Sequence, residues 1–127
     1  MKPAVNSFRA STSGNLPSVS SRIDRFEQEL RSDSDVKVSV HFPAADDADY
    51  ESVVSELLRV LLEYRWEQGE RLGVAELLAK EELEWILERP RMLSPVAFEE
   101  YRLRRTYGLP ADSETFRRRF GVDVTDW

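Results

Sequence analysis

Apolar positions recur along this chain with two different periods, and the helical one dominates. From Asp49 to Gln68 (DYESVVSELLRVLLEYRWEQ), Tyr50, Val53, Val54, Leu57, Leu61 and Tyr64 fall on one stripe at helical spacing. Leu58, Val60 and Leu62 widen that stripe beyond what a surface helix needs, so this helix is predicted to be central and covered from two sides. Asp46, Asp47 and Asp49 supply caps and suit the positive end of the helix dipole, and Gly69 is placed to close the helix. A shorter helix is predicted over Ser21–Arg31, where Ile23, Phe26 and Leu30 share a face.

A second long helix is predicted over Gly73–Arg89. Its apolar side is Val74, Leu77, Leu78, Leu83, Trp85, Ile86 and Leu87, with Trp85 expected in the core and Pro90 as the stop. Ser94-Pro95 reads as a cap followed by proline at the first helical position, which starts a third helix running to Tyr107 and closed by Gly108 and Pro110. Asp112 or Ser113 caps a short last helix through Phe120, with Gly121 behind it.

The shorter period appears twice. In VKVSVHF, Val36, Val38, Val40 and Phe42 alternate with Lys37, Ser39 and His41, the pattern of a half-buried strand ended by Pro43. A strand needs a partner for its backbone groups. The best available one is GVDVTDW, where Val122 and Val124 alternate with Asp123 and Thr125, and a third strand is conceivable around Val5–Phe8. The fold class expected is therefore α+β and mostly helical: four or five helices around a long central helix at about 49–68, with a small two- or three-stranded sheet.

Residues 1–20 change this picture only at the edge. Six serines and threonines lie between Ser7 and Ser20, with Pro3, Gly14 and Pro17 as breakers, and no acid precedes Asp24. The stretch reads as a flexible N-terminal arm, ahead of a single compact domain at 21–127. Its acid-poor composition also has the look of an organellar transit peptide. The length of 127 residues fits one domain, and the chain has no cysteine, which excludes disulfides, thiolate metal sites and thiol nucleophiles. A reducing, cytoplasmic setting is the expectation, with no membrane span.

Charge divides the chain. Residues 40–90 carry thirteen acids against five bases, whereas all seven bases of residues 91–127 are arginine, set against six acids. Arg117, Arg118 and Arg119 sit between Phe116 and Phe120, in what reads as a last helical turn where cations meet the negative end of the dipole. Arg102, Arg104 and Arg105 precede the turn. The string LRRTYGLPADSETFRRRF has a helix-turn-helix outline, but Leu103 and Arg104 stand where close helix approach wants a small residue, and Glu114 stands where an apolar one should follow the turn.

Few residues point to reaction chemistry. His41 is the only histidine and is expected on the exposed face of its strand, which leaves no material for a histidine-based triad or a His-rich metal site. No phosphate-cradling glycine loop is present, and DDADYE lacks the glycine of a calcium loop and runs into an apolar helix, so its acids read as helix caps. No catalytic residue, metal ligand or cofactor is assigned.

The residue types that stand out are those of contact surfaces: Trp66, Arg102, Arg105, Arg117, Arg118, Arg119 and Trp127 are taken as partner-binding candidates. The reading is a non-enzymatic protein–protein interaction module, such as an adaptor, assembly factor, inhibitor or small subunit of a larger complex. Its partner is another protein or a second copy of the chain. The alternative is a nucleic-acid-binding protein using the Arg-rich C-terminal helices.

Overall fold

The computed structural model describes residues 19–127. The arm expected at 1–20 lies outside the described residues up to position 18, as does the third strand looked for around Val5–Phe8; helix α1 takes in its last two positions. The described chain forms five α-helices: α1 (Val19–Ser32), α2 (Tyr50–Glu67), α3 (Val74–Lys80), α4 (Pro90–Thr106) and α5 (Ser113–Phe120). Two short 3-10 turns intervene, at Val38–His41 and Glu84–Glu88, and among the described residues there is no strand. The expected α+β class is thus corrected to an all-helical one. No helix among these residues is long and apolar enough to cross a membrane.

The error at VKVSVHF has a local cause. In a 3-10 turn, residues three apart share a face. Val38 and His41 therefore turn inward together, while Val40 points out at 73% exposure. The backbone donors that a sheet would have paired are satisfied nearby: Val40 N–H bonds Lys37 O and Phe42 N–H bonds Ser39 O, each at 3.2 Å. Val38 N–H donates to the Glu81 carboxylate at 3.3 Å. The supposed partner strand, 122–127, instead lays Val122 into the core and ends in a turn in which Trp127 N–H bonds Val124 O at 3.1 Å. His41, expected on the surface, is 7% exposed, packs on Phe26 and reaches Glu29 through Nε2 at 2.9 Å.

Helix α2 is central, as its wide stripe predicts: Val53, Val54, Leu57, Leu58, Leu61 and Leu62 are all buried, against α1 on one side and α4 on the other. Ser55 donates to Met92 O at 2.8 Å, Arg59 meets Glu99, and Arg102 meets Glu63. Residue numbers rise together along both helices, so α2 and α4 run parallel. The chain must therefore return from the end of α2 to the start of α4, and α3 with the second 3-10 turn makes that return.

The return is where the predicted 73–89 helix breaks. Leu83 N–H bonds Leu78 O at 2.8 Å and Glu82 N–H bonds Ala79 O at 3.2 Å, the paired bonds of a Schellman helix end, with Glu82 left-handed at φ 60°. Helices α2 and α4 end on the same bond pairs, but with glycine, Gly69 or Gly108, in the left-handed position. Placing a side chain there costs about 1 kcal/mol or more. Glu82→Gly is therefore expected to raise stability by about 0.5–1 kcal/mol after the entropy of the added glycine is charged against it. The readout is the denaturant midpoint, and a lower midpoint would show that Glu82 sits there without strain.

The break also turns Trp85 outward, to 41% exposure, where the sequence put it in the core. Helix α4 starts at Pro90, four residues before the expected Ser94-Pro95 start. Pro90 takes the first helical position, and Pro95, one turn in, deprives only the Arg91 carbonyl near the exposed helix end of a donor.

Candidate functional site

Seven residues were singled out by sequence, and the fold divides them. Trp66 is buried, at 1% exposure. The turn after α2 folds back over it, so that its indole N–H donates to Leu72 O at 2.9 Å. Tyr107 meets the ring edge-on at a centroid separation of 5.3 Å, and the guanidiniums of Arg71 and Arg104 each lie 5.9 Å from its centre. It holds the last turns of α2 and α4 together and presents no surface to a partner.

Arg102 and Arg104 are engaged by carboxylates that sequence reasoning did not single out. Glu99 and Glu100 are each 1% exposed, on the face of α4 that meets α2 and α3. Glu100 accepts from Val74 N–H at 2.8 Å, at the start of α3, and from Arg104 Nε at 2.8 Å. Gly73 leaves room for this approach: a Cβ there would stand 3.3 Å from the Glu100 carboxylate.

Glu99 accepts from Arg59 at 3.4 Å and from Arg102 at 2.5 Å, while Glu56 and Glu63 flank the same two arginines. Burial works against the charge of Arg59, but Glu56 and Glu99 outweigh it and hold its pKa above the ordinary value. Arg102 is raised chiefly by its bond to Glu99. A buried carboxylate between two guanidiniums has its hydrogen-bonding capacity met. The signal was present in the sequence: Val96, Glu99, Glu100 and Leu103 share the apolar face of α4, with Arg102 and Arg104 three and four residues past the two acids.

Of the other five candidates, Arg105 lies in the last turn of α4, Arg117, Arg118 and Arg119 lie on α5, and Trp127 packs on both helices. Asp112 caps α5 by accepting from Glu114 N–H at 3.2 Å, and Gly121 closes it at φ 68°, which sets Arg117, Arg118 and Arg119 in the last turn as predicted. Arg117 is held by Glu114, whose carboxyl that contact keeps below its usual range. Arg118 and Arg119 have no acidic partner within bonding distance among the described residues, and Arg119 lies 5.2 Å from the Phe120 ring centre. Arg105 bonds the Tyr101 hydroxyl at 3.1 Å and lies over that ring at 5.5 Å.

Trp127 completes the arrangement. It packs on Tyr101, Phe116 and Phe98 with centroids 5.2, 5.5 and 5.4 Å away. Phe98, which the sequence did not flag, is 39% exposed beside it. The result is a cluster of rings with half-exposed Phe98 at its edge and Arg105 over its Tyr101 ring.

Among the described residues several grooves lie open on the surface. The groove between α4 and α5 is lined by Arg104, Arg119, Phe116 and Asp112. Another lies beside Trp85, between Asp47, Tyr50, Glu51 and Arg89. Among the described residues no group of three or more acids and histidines is placed to hold a metal ion. Comparison of the chain with protein-family models, curated proteins and solved structures finds no match.

Proposed function

We propose that this chain is a protein–protein interaction module whose contact face is the C-terminal half of α4 together with α5 and the final residues. Phe98 and the edge of Trp127 form its apolar centre, and Arg105, Arg118 and Arg119 form its charged rim. Trp66, Arg102 and Arg104 are left out of this face because the fold uses them. The observation that carries the reading is the exposed Phe98 packed on Trp127, in a chain whose exposed Arg118 and Arg119 have no acidic partner within bonding distance among the described residues. Tryptophan and arginine are the residue types that dominate binding energy at interfaces.

Charge complementarity selects an acidic protein surface as the partner. Arg forks carboxylates with two parallel bonds. Nucleic acid is the weaker alternative. Arg102, Arg104 and Arg117 are already neutralised by carboxylates, and a net charge of −6 repels phosphate at a distance.

The test is retention of proteins from the native source on the immobilised chain, comparing wild type with the triple variant Arg105→Gln, Arg118→Gln, Arg119→Gln. Proteins held by the wild type are expected to be lost from the variant and from Phe98→Ala. Equal retention by all three would remove this face from the interaction. Retention of nucleic acid in place of protein, lost on adding salt, would support the alternative.

A further inference from the structure

Among the described residues three large apolar side chains stand exposed: Val40 at 73%, Trp85 at 41% and Phe98 at 39%. Phe98 belongs to the proposed contact face. Val40 and Trp85 lie outside it, and an apolar track connects them. Val40 is two residues from Phe42, whose ring meets Tyr50 edge-on at 6.3 Å. Tyr50 in turn lines an open groove with Ala45, Ala48 and Trp85. Arg89 lies over the Trp85 ring at 5.6 Å and still leaves the side chain half-exposed.

The chain enters the described fold beside this track. Arg22 donates to the His41 carbonyl at 3.4 Å and Phe26 packs on the His41 ring at 5.1 Å, so the first turns of α1 lie against the 3-10 turn that carries Val40. Leu30 and Arg31, near the end of α1, line a groove with Val60 and Tyr64, past the middle of α2. Residue numbers thus rise together along α1 and α2, and the start of α1 lies at the same end as Tyr50. Residues 1–18 precede that start. They include Val5, Phe8 and Leu16, carry Lys2 and Arg9, and contain no acid. An extended chain advances about 3.3 Å per residue, so Leu16 reaches about 10 Å from Val19 and Phe8 about 36 Å.

We propose that residues 1–18 turn back onto this track, with Leu16 over Val40 and Phe8 over the groove between Tyr50 and Trp85. The occupant is the chain's own arm because it starts beside the track and is long enough to follow it. Tethering presents it at an effective concentration of about a millimolar, so a weak contact is enough to hold it. Charge agrees with this occupant. Asp46, Asp47 and Asp49 lie in the loop before Tyr50 with no basic partner within bonding distance among the described residues, whereas Arg91 is drawn to Glu51 at 3.9 Å. An arm with two bases and no acid brings no like charge to those carboxylates. The contact stands independently of the proposed face around Phe98.

The chain has no cysteine, so Ser11→Cys in the full chain carries a nitroxide at one place, between Phe8 and Leu16. A label so close in sequence broadens the first turn of α1 wherever the arm lies, so the Trp85 indole signal decides. It is expected to lose intensity along with the amide signals of Phe42 and Tyr50, while those of Arg118 and Arg119 keep theirs. Adding Phe8→Ser and Leu16→Ser, which alter the arm alone, is expected to restore the Trp85 signal, and Val40→Asp on the domain surface to restore it in part.

An undiminished Trp85 signal overturns the proposal, as does loss concentrated at Phe98 and α5, or loss that survives the Phe8→Ser, Leu16→Ser change. The same holds if isotope-labelled chain without nitroxide is broadened at Trp85 on mixing with unlabelled chain that carries it, because the occupant would then be a second copy.

Discussion

Replacing Glu100 by alanine is expected to destabilise the fold by about 3 kcal/mol, the cost of leaving a buried donor and a partly buried cation without their acceptor. Both losses follow from one side chain. Val74 N–H, at the start of α3, is buried and has Glu100 as its acceptor at 2.8 Å, and Arg104 leans on the other oxygen at 2.8 Å. In a chain of this size the melting temperature should drop by roughly 10 °C or more.

Glu100→Gln keeps an acceptor for Val74 and removes the charge, so it should fall between the two, about 1–2 kcal/mol below wild type. Thermal unfolding measures all three. An alanine variant within about 1 kcal/mol of wild type would mean that water replaces the carboxylate and that the junction of α3 with α4 is held by apolar packing alone.

The second large effect is at Trp66. Trp66→Ala is expected to cost about 3–5 kcal/mol, as for other buried aromatics cut to alanine, and it also strips Leu72 O of its donor. Trp85→Ala, which removes a ring of similar size from the surface, should cost about 1 kcal/mol or less. The pair is informative because sequence alone ranks them the other way. Denaturant midpoints that placed Trp85→Ala below Trp66→Ala would overturn the assignment of both.

Why the ranking inverts shows what the sequence could carry. Helix α2 was legible because nine apolar positions at helical spacing have few alternatives, and three helix ends were legible because Gly69, Gly108 and Gly121 occupy left-handed positions. The end of α3 was not legible. Lys80-Glu81-Glu82-Leu83 contains good helix formers and neither glycine nor proline, so nothing local announces that Glu82 reverses the chain. Once it does, Trp85 leaves the core face. Trp66 lies off the main stripe of α2 and is buried only because the following turn brings Leu72 back over it, a tertiary fact.

The supposed sheet failed for a related reason. A seven-residue alternation and a single 3-10 turn place nearly the same valines inward, and only Val40 and His41 tell them apart. The candidate site was half legible: residue type picked out Arg105, Arg118, Arg119 and Trp127. The pairing of Arg102 and Arg104 with Glu99 and Glu100, and the exposure of Phe98, depend on which helices meet.

The central claim is that the arginine rim is surplus to the fold and available for contact. Equilibrium unfolding of the Arg105→Gln, Arg118→Gln, Arg119→Gln variant tests it most directly. Exposed arginines without acidic partners contribute little, so the variant is expected to unfold within about 1 kcal/mol of wild type. A loss of several kcal/mol would contradict the claim, because those arginines would then be holding this chain together and would not be free to hold another.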